Sequence, residues 1–293
     1  MISQDDLYVR TPPRRTPAGA GIGLRLSHIA EIVATRPQAG WLEIHPENFL
    51  ANPHAFELLT ELSHIYPISL HTVGISVGSA GGINRSHLAR IRTLVDRIDP
   101  VFVSGHLAWS TYKSEYLNDL LPLPFNMESL RVVITHVNEV QDALGRSYLV
   151  ENPASYVAFA NNRCRETEFL SELVLRTGCR LLCDVSNVVV SGHNLRYDPH
   201  EYLDCLPSDA IAEVHLGGYT AEEEYLIDTH AAAIADPAWE LYAYAMGRFG
   251  PRPTLIEWDN EMPPLATLLA EARRADVLKS KVTRLEVRCA DAC

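Results

Sequence analysis

The amino-acid sequence predicts an α/β fold, a single (β/α)8 or TIM barrel, and three observations support this prediction. Eight short strand-like runs alternate with segments of helical periodicity, and eight parallel strands close such a barrel. The chain has 293 residues, a length that one barrel fills. The first turn, "GIGLRLSH", lacks the G-x-G-x-x-G pattern of dinucleotide-binding open sheets.

Strands are predicted where short runs are rich in apolar and β-branched residues. In chain order these runs are "GIGLR" (21–25), "WLEIH" (41–45), "ISLHTV" (68–73), "VFVSGHLAW" (101–109), "SYLVEN" (147–152), "RLLCDVSN" (180–187), "IAEVHLGG" (211–218) and "TLIEWD" (254–259). Their length and spacing are typical of the strands of a parallel barrel.

Helices are predicted where apolar residues recur every three or four positions between these runs. They span residues 27–36, 54–66, 85–98, 126–144, 166–178, 199–206, 236–249 and 263–275, the segment 199–206 being the weakest. Two of them end at Gly178 and Gly250, as helix termini commonly do.

The alternative fold is a doubly wound open sheet, which the missing glycine fingerprint disfavours. We expect the barrel to occupy residues 20–276, after an N-terminal extension at 1–19 and before a C-terminal tail at 277–293. This tail ends in "CADAC" and is expected to be frayed and polar. Residues 220–236 are expected to form a long loop after the seventh strand, a common place for active-site residues.

The composition excludes several classes of function. The net charge of −12 and the absence of a basic block argue against a nucleic-acid partner. No apolar run is long enough for a membrane span, and residues 1–20 contain no apolar signal segment, so a cytoplasmic location is expected. The six cysteines show no zinc-knuckle spacing and no disulfide-scaffold density, which predicts reduced thiols.

Six predicted strands carry a potential metal ligand at their last inward position. They are His71, His106, Glu151, Asp184, His215 and Glu257. Inward side chains of a barrel converge at its carboxyl-terminal rim, so we expect these six to lie together. Alternation along the strands supports this, because Leu182 then faces inward while Leu181 and Cys183 face the helices.

Imidazole and carboxylate ligands without thiolate suit iron, manganese or zinc. The loop after the seventh strand adds Asp228 and His230, and Asn187 follows Asp184 by three residues. Nine candidate ligands exceed the needs of one ion, so two or three carboxylate-bridged ions are expected. A hydrogen-bonded polar ring without metal is the alternative interpretation.

Other residues near the rim have less specific roles. Asn48, Trp109 and Tyr219 are candidate substrate-binding residues, although Asn48 also fits a capped turn and Trp109 also fits packing against helices. Glu43 and His45 share one side of the second strand, and Glu213 is placed to orient His215. Surface or capping roles are expected for the histidines on predicted helices, which are His28, His54, His64, His87, His136 and His200.

An ordered set of motifs resembles the multinuclear non-haem iron-dependent oxidases, the family that includes the methanobactin-biosynthesis oxidase. The motifs are "GIGLR", "WLEIHPENF", "SLHTVGISVGS", "SGHLAWS", "NDLLPLP", "LVENPASY", "CDVSNV", "EVHLGGY", "IDTH" and "LIEWD". They extend from about residue 20 to residue 275, nearly the whole predicted domain.

The resemblance implies a TIM barrel that holds two or three Fe2+/Fe3+ ions on the same nine ligands. It also implies an O2-dependent oxidoreductase that modifies a residue, with cysteine favoured, of a ribosomally synthesised precursor peptide (RiPP biosynthesis), aided by a partner protein that binds the leader. "DVSN" replaces the "DVNN" of many members, and "HLGGY" replaces the more usual "HLAGH", so no particular subfamily's product can be transferred. Two competing hypotheses remain: a metallohydrolase or isomerase of the xylose-isomerase type, and a non-catalytic metal-binding protein.

Overall fold

The fold was described from a computed structural model, which covers residues 17–112 and 115–290, with side chains to residue 282. The strands are β1 (Gly21–Gly23), β2 (Leu42–Ile44), β3 (Ile68–Thr72), β4 (Val103–His106), β5 (Trp109–Tyr112), β6 (Glu115–Leu121), β7 (Leu149–Glu151), β8 (Arg180–Asp184), β9 (Ile211–Gly217), β10 (Thr220–Ala221), β11 (Leu226–Ile227) and β12 (Thr254–Glu257).

The helices are interleaved with these strands. They are α1 (Leu26–Thr35), α2 (Pro46–Leu50), α3 (Pro53–Ser63), α4 (Arg85–Ile98), α5 (Met127–Leu144), α6 (Glu166–Thr177), α7 (Val185–Leu195), α8 (Pro199–Cys205), α9 (Asp236–Phe249) and α10 (Leu265–Ala290). A short 3₁₀ turn, Ser208–Ala210, precedes β9.

Eight strands form a closed parallel barrel in the order β1-β12-β9-β8-β7-β4-β3-β2. Each of the eight predicted strand segments contains one of these strands, so the predicted TIM barrel is confirmed. The first strand closes on the last through the pairs Gly21 with Leu255 and Ile22 with Ile256. Because all strands run in one direction, their carboxyl ends meet at one rim.

Local sequence explains where the helices begin and end. Side chains cap the first turns of five helices by accepting a backbone N–H two or three residues ahead; they are Asn52, Asn84, Asn126, Asp184 and Asp198. Five helices end at a residue whose backbone has the left-handed conformation; these residues are Arg36, Asp99, Gly145, Gly178 and Arg196. The capping residues and the left-handed residues together fix the directions in which the chain enters and leaves each helix.

Several predicted boundaries were wrong. The strand predicted at 180–187 ends at Asp184, because the Asp184 carboxylate accepts the N–H of Asn187 and thereby begins α7. The run predicted at 101–109 divides into β4 and the start of a β5–β6 hairpin. The expected loop at 220–236 contains the small β10–β11 ladder. The last helix was predicted to end at 275, but α10 continues to Ala290, so the backbone at Cys289 is helical, while Cys293 lies outside the described residues.

The apolar residues form two layers, one on each side of the barrel wall. Inside the barrel, Leu149 and Leu182 pack with Ala212 below the rim. Leu181 and Cys183 point the other way, into the large core between the strands and the surrounding helices, as the alternation predicted. The inner apolar layer therefore closes the floor of the barrel and leaves the rim to polar side chains.

Two helix histidines are buried, contrary to the prediction of surface or capping roles. His28 on α1 is 6% exposed, and its Nε2 lies 2.9 Å from the Pro263 carbonyl oxygen. His136 on α5 is 7% exposed, and its Nδ1 lies 2.8 Å from the Val77 carbonyl oxygen. Each ring bridges its helix to a neighbouring segment, and helical periodicity alone does not disclose such a partner.

Candidate metal centre

Six consecutive barrel strands place one imidazole or carboxylate each at the rim. They contribute His71 (β3), His106 (β4), Glu151 (β7), Asp184 (β8), His215 (β9) and Glu257 (β12). The strand register sets neighbours side by side, since His106 pairs with Glu151 and Asp184 pairs with His215. All six side chains are brought together as the strand alternation predicted.

The first group of donor atoms belongs to His71, His106 and Glu151. The two Nε2 atoms lie 3.1 Å apart, and they lie 3.2 Å and 3.5 Å from Glu151 Oε2. Ligands about 2.1 Å from one metal ion are separated by roughly 3.0 Å in octahedral and 3.4 Å in tetrahedral geometry. The three atoms therefore have the mutual spacing of ligands to a single ion, and Ser104 fixes the first ring through a 2.8 Å contact with His71 Nδ1.

The second group surrounds Asp184, which begins α7. Its Oδ1 accepts the Asn187 N–H at 2.8 Å, and its main chain is held on both sides by the Asn152 amide. Asp184 Oδ2 and Asn187 Oδ1 are buried and make no hydrogen bond to a described residue. Buried polar oxygens are rarely left in this state, so both are suited to accept a cation.

The loop after β9 contributes Asp228 and His230. His230 has a positive φ of 47°, a strained backbone conformation for a non-glycine residue. Its N–H donates to the Gly218 carbonyl oxygen, and its own carbonyl oxygen accepts the Asp259 N–H at 2.9 Å. Gly217 faces the ring so closely that a Cβ there would lie 2.5 Å from His230 Cδ2. The strand glycine thus makes room for the loop histidine to reach the rim.

His215 connects the rim to a buried acidic pair below it. Its Nδ1 lies 3.0 Å from Glu257 Oε2, while its Nε2 lies 3.2 Å from Glu213 Oε1 and 3.4 Å from Glu43 Oε1. Ser69 donates a 2.6 Å hydrogen bond to Glu43 Oε2. Glu43 and Glu213 are fully buried, so His215 is held from below by carboxylates and presents Nδ1 towards the rim.

Two residues at this rim were not predicted from the sequence. Arg25 donates from Nε to Asp259 Oδ1 at 2.7 Å and makes a second contact from Nη2, and the same Nη2 lies 3.1 Å from His45 Nε2. Asp259 Oδ2 lies 3.5 Å from His230 Nδ1. The available signal was spacing: Arg25 and Asp259 each follow a strand end by two residues, at the same parity as the rim positions.

Burial shifts the pKa values of four rim groups in the direction that favours their neutral forms. It raises the pKa of Glu151 well above its ordinary range, and it raises the pKa of Asp184 to about 6 with help from the Asp228 charge. It also lowers the pKa of His106 to about 4, and it lowers the pKa of His71 well below its ordinary value with help from the neighbouring His106. A cation at the rim would reverse the carboxylate shifts, since it favours the ionised ligands.

Below the rim, the pKa of His215 shifts in the opposite direction to those of His71 and His106. Burial disfavours the charged form of His215, but the adjacent Glu43 and Glu213 carboxylates outweigh it and raise the His215 pKa well above normal. Burial and the Glu43 charge raise the pKa of Glu213 to about 8. Although burial opposes ionisation of Asp259, the Arg25 guanidinium lowers its pKa to about 2.

Among the described residues, five overlapping groups of three side chains have donor atoms close enough to hold a metal ion. The groups are His71/His106/Glu151, Glu43/His215/Glu257, His45/Glu257/Asp259, Glu151/Asp184/His215 and Asp184/His230/Glu257. Glu257 belongs to three groups and Glu151 to two, so these carboxylates are placed to bridge neighbouring ions. The donors are nitrogen and oxygen atoms, which suit iron, manganese or zinc.

A cavity of about 420 Å³ opens above these groups. Asn48, one of the candidate substrate-binding residues, lines it together with part of β6. The structure does not bring the other two to this cavity. Trp109 donates from Nε1 to the Pro122 carbonyl oxygen at 2.8 Å, and Tyr219 packs at the edge of the outer apolar core.

The part of the chain that the structure describes includes no helix long and apolar enough to cross a membrane.

The similarity of this chain to solved structures supports its fold alone. The barrel is similar to a D-tagatose 3-epimerase-like protein, with a TM-score of 0.58 and 14% identity over 93% of this chain and 100% of that one. An L-ribulose 3-epimerase gives a TM-score of 0.59 and 14% identity over 92% and 98% of the two chains.

Sequence comparison is more specific. A UPF0276 protein of Chromobacterium violaceum is 48% identical over 262 residues, covering 89% of this chain and 95% of that protein. A UPF0276 protein of Vibrio parahaemolyticus is 45% identical over 269 residues, covering 90% and 93%. The family model described as RiPP precursor modification enzyme MbnB/TglH/ChrH matches residues 19–280. The chain therefore belongs to the MbnB/TglH/ChrH family of RiPP precursor modification enzymes.

Proposed function

We propose that the protein is a multinuclear non-haem iron oxidase that uses O2 to modify a residue, with cysteine favoured, of a ribosomally synthesised precursor peptide. The observation that carries the proposal is the spacing of His71 Nε2, His106 Nε2 and Glu151 Oε2, which matches the ligands of one ion. The overlapping groups beside it support further ions. Membership of a peptide-modifying family supports a peptide substrate.

The residues present fit two or three Fe2+/Fe3+ ions. Four of the nine proposed ligands are carboxylates, namely Glu151, Asp184, Asp228 and Glu257, and four negative charges balance two divalent cations. A ferric ion in place of a ferrous one leaves one positive charge, which an anionic substrate group such as a thiolate would neutralise. Bound iron would supply the O2 and electron-transfer chemistry that side chains lack.

The chain itself orients the ligands and controls access to them. Ser104 fixes the ring of His71, and the Glu43 and Glu213 carboxylates fix His215 from below. Rigid strands carry these groups, which favours a precise arrangement at the rim. The protein's own Cys183 faces the outer core, so it does not compete with a substrate thiol for the rim.

The proposal includes a second protein that binds the leader of the precursor and a cytoplasmic site of action. The family's description supports a precursor peptide as the substrate. The cysteines whose side chains the structure describes are free, which fits a reducing compartment; they are Cys164, Cys179, Cys183 and Cys205. The acidic net charge of −12 gives no support to a nucleic-acid partner.

The experiment measures metal content on anaerobically purified protein, with Mössbauer spectra of an iron-57 sample. The protein is then co-expressed, with and without O2, with each small peptide encoded next to its gene. The mass of each peptide is measured by mass spectrometry. We expect two or three irons per chain and an O2-dependent mass change on one peptide. Tightly held zinc with O2-independent turnover would favour a hydrolase or isomerase. Metal ions with every coordination position filled, together with no turnover, would favour a non-catalytic metal-binding protein.

A further inference from the structure

The β5–β6 hairpin beside the metal cavity has one covered edge and one open edge. On the β5 side, Ser76 Oγ accepts the N–H groups of Ser110 and Thr111 at 2.8 Å and 3.2 Å, and Ser79 Oγ donates to the Thr111 carbonyl oxygen at 2.8 Å. The chain segment after β3 therefore covers this edge.

The other edge belongs to β6 and is open. Among residues 17–112 and 115–290, β6 pairs with β5 alone. The one further hydrogen bond to its main chain is local, from the Leu120 N–H to Asp119 Oδ1 at 2.8 Å. Proteins usually protect a seven-residue edge, because its free N–H and C=O groups invite another strand.

This open edge borders the metal cavity. Asn118, Asp119 and Leu120 are consecutive, and all three line the cavity with Tyr116. The hairpin register shifts here: four residues of β6, 117–120, lie opposite the single β5 residue Ser110, so this part of β6 bulges out of the ladder, and the bulge borders the cavity. A strand added to β6 would therefore run along the cavity mouth.

We infer that the substrate peptide docks as an additional strand on the open edge of β6, and that this pairing leads its reactive side chain to the metal centre. The inference rests on the proposed function. A cavity of about 420 Å³ admits a few side chains, so the rest of a peptide must lie outside it, and the β6 edge adjoins the cavity. Main-chain pairing holds such a peptide largely independently of its sequence.

Charge narrows the class of peptide that fits. β6 carries Glu115 and Asp119 and contains no lysine or arginine. The described cavity lining likewise includes no lysine or arginine. We therefore expect the paired segment to be neutral or basic.

The test uses zinc-loaded protein, because zinc has no redox chemistry and therefore cannot support oxidation of the probe. The probe is a fluorescein-labelled 14-residue peptide with one central cysteine, selected from a random displayed library and measured by fluorescence polarisation. Each peptide bond is N-methylated in turn. Strand pairing predicts a period of two: about tenfold weaker binding at alternate residues, with little change between them. The intervening residues are the matched controls.

A protein variant provides the second measurement. Asn118→Pro places a ring in the edge, and we expect about tenfold weaker peptide binding with unchanged zinc content. Retained affinity in this variant, or an N-methylation profile without the period of two, would overturn strand docking and leave the oxidase proposal standing. Failure of every library peptide to bind the wild-type protein would also overturn strand docking. If the protein as purified holds only zinc and the zinc-loaded protein still shows the alternating profile, the oxidase proposal fails and strand docking stands.

Discussion

Gly217→Ala tests whether His230 is a ligand without altering any ligand. The added methyl group would lie 2.5 Å and 2.6 Å from Cδ2 and Nε2 of the His230 ring. Ordinary contacts begin near 3.4 Å, so the ring must move by about 1 Å. Metal–ligand distances tolerate roughly 0.2 Å, so a ring displaced this far can no longer coordinate.

The expected loss is about 10- to 100-fold in affinity for the ion that His230 holds, or roughly 1.4–2.7 kcal/mol. Metal content after anaerobic reconstitution, followed by competition with a chelator, measures it. The ring can swing towards the loop, so the free energy of unfolding of the metal-free variant should change by no more than about 1 kcal/mol.

Gly247→Ala on α9 is the matched control, because a methyl group there meets no atom within 4 Å. It should leave metal content unchanged and stabilise the helix by about 0.5–1 kcal/mol. Wild-type metal affinity in Gly217→Ala would refute the assignment of His230 as a ligand.

Three further predictions concern the same rim. His106→Ala should remove at least one ion per chain, as measured by elemental analysis. The control His54→Ala changes an exposed histidine and should remove none. Equal metal content in the two variants would contradict the assignment of His106 as a ligand. In metal-free protein, the free energy of unfolding should fall by at least about 2 kcal/mol between pH 6.5 and pH 9. Burial raises the pKa of Glu213 to about 8, so folded protein keeps a proton that the unfolded chain has already released; urea titrations that show a rise would refute this. Arg25→Met should destabilise the protein by about 3 kcal/mol in chemical denaturation, because Asp259 loses its buried partner, and an unchanged midpoint would show that the pair contributes little.

Strand alternation explains why much of the rim could be predicted from the sequence. His71, Glu151 and Asp184 lie at or next to the ends of strands whose inner positions are set by a period of two, and the register of a closed barrel then brings them together. The same rule placed Leu182 inside and Cys183 outside. No distant contact had to be known for any of these placements.

The residues that were missed depend on contacts far apart in the chain. Arg25 and Asp259 are 234 positions apart, and their pairing follows from closure of β1 on β12, which no local pattern encodes. The β5–β6 hairpin was missed because its first strand continues the apolar run of β4. Trp109 was expected near the substrate for the same reason, since treating 101–109 as one strand places it at the rim.

The pairing of β1 with β12 also has a consequence for biosynthesis. Glu257 lies on β12, the last barrel strand to leave the ribosome, and it belongs to three of the five potential metal groups. A nascent chain that has not yet released β12 lacks these ligands and cannot close its barrel. Metal acquisition is therefore expected to follow translation of the barrel, so a truncated chain ending before residue 254 should emerge without the complete centre.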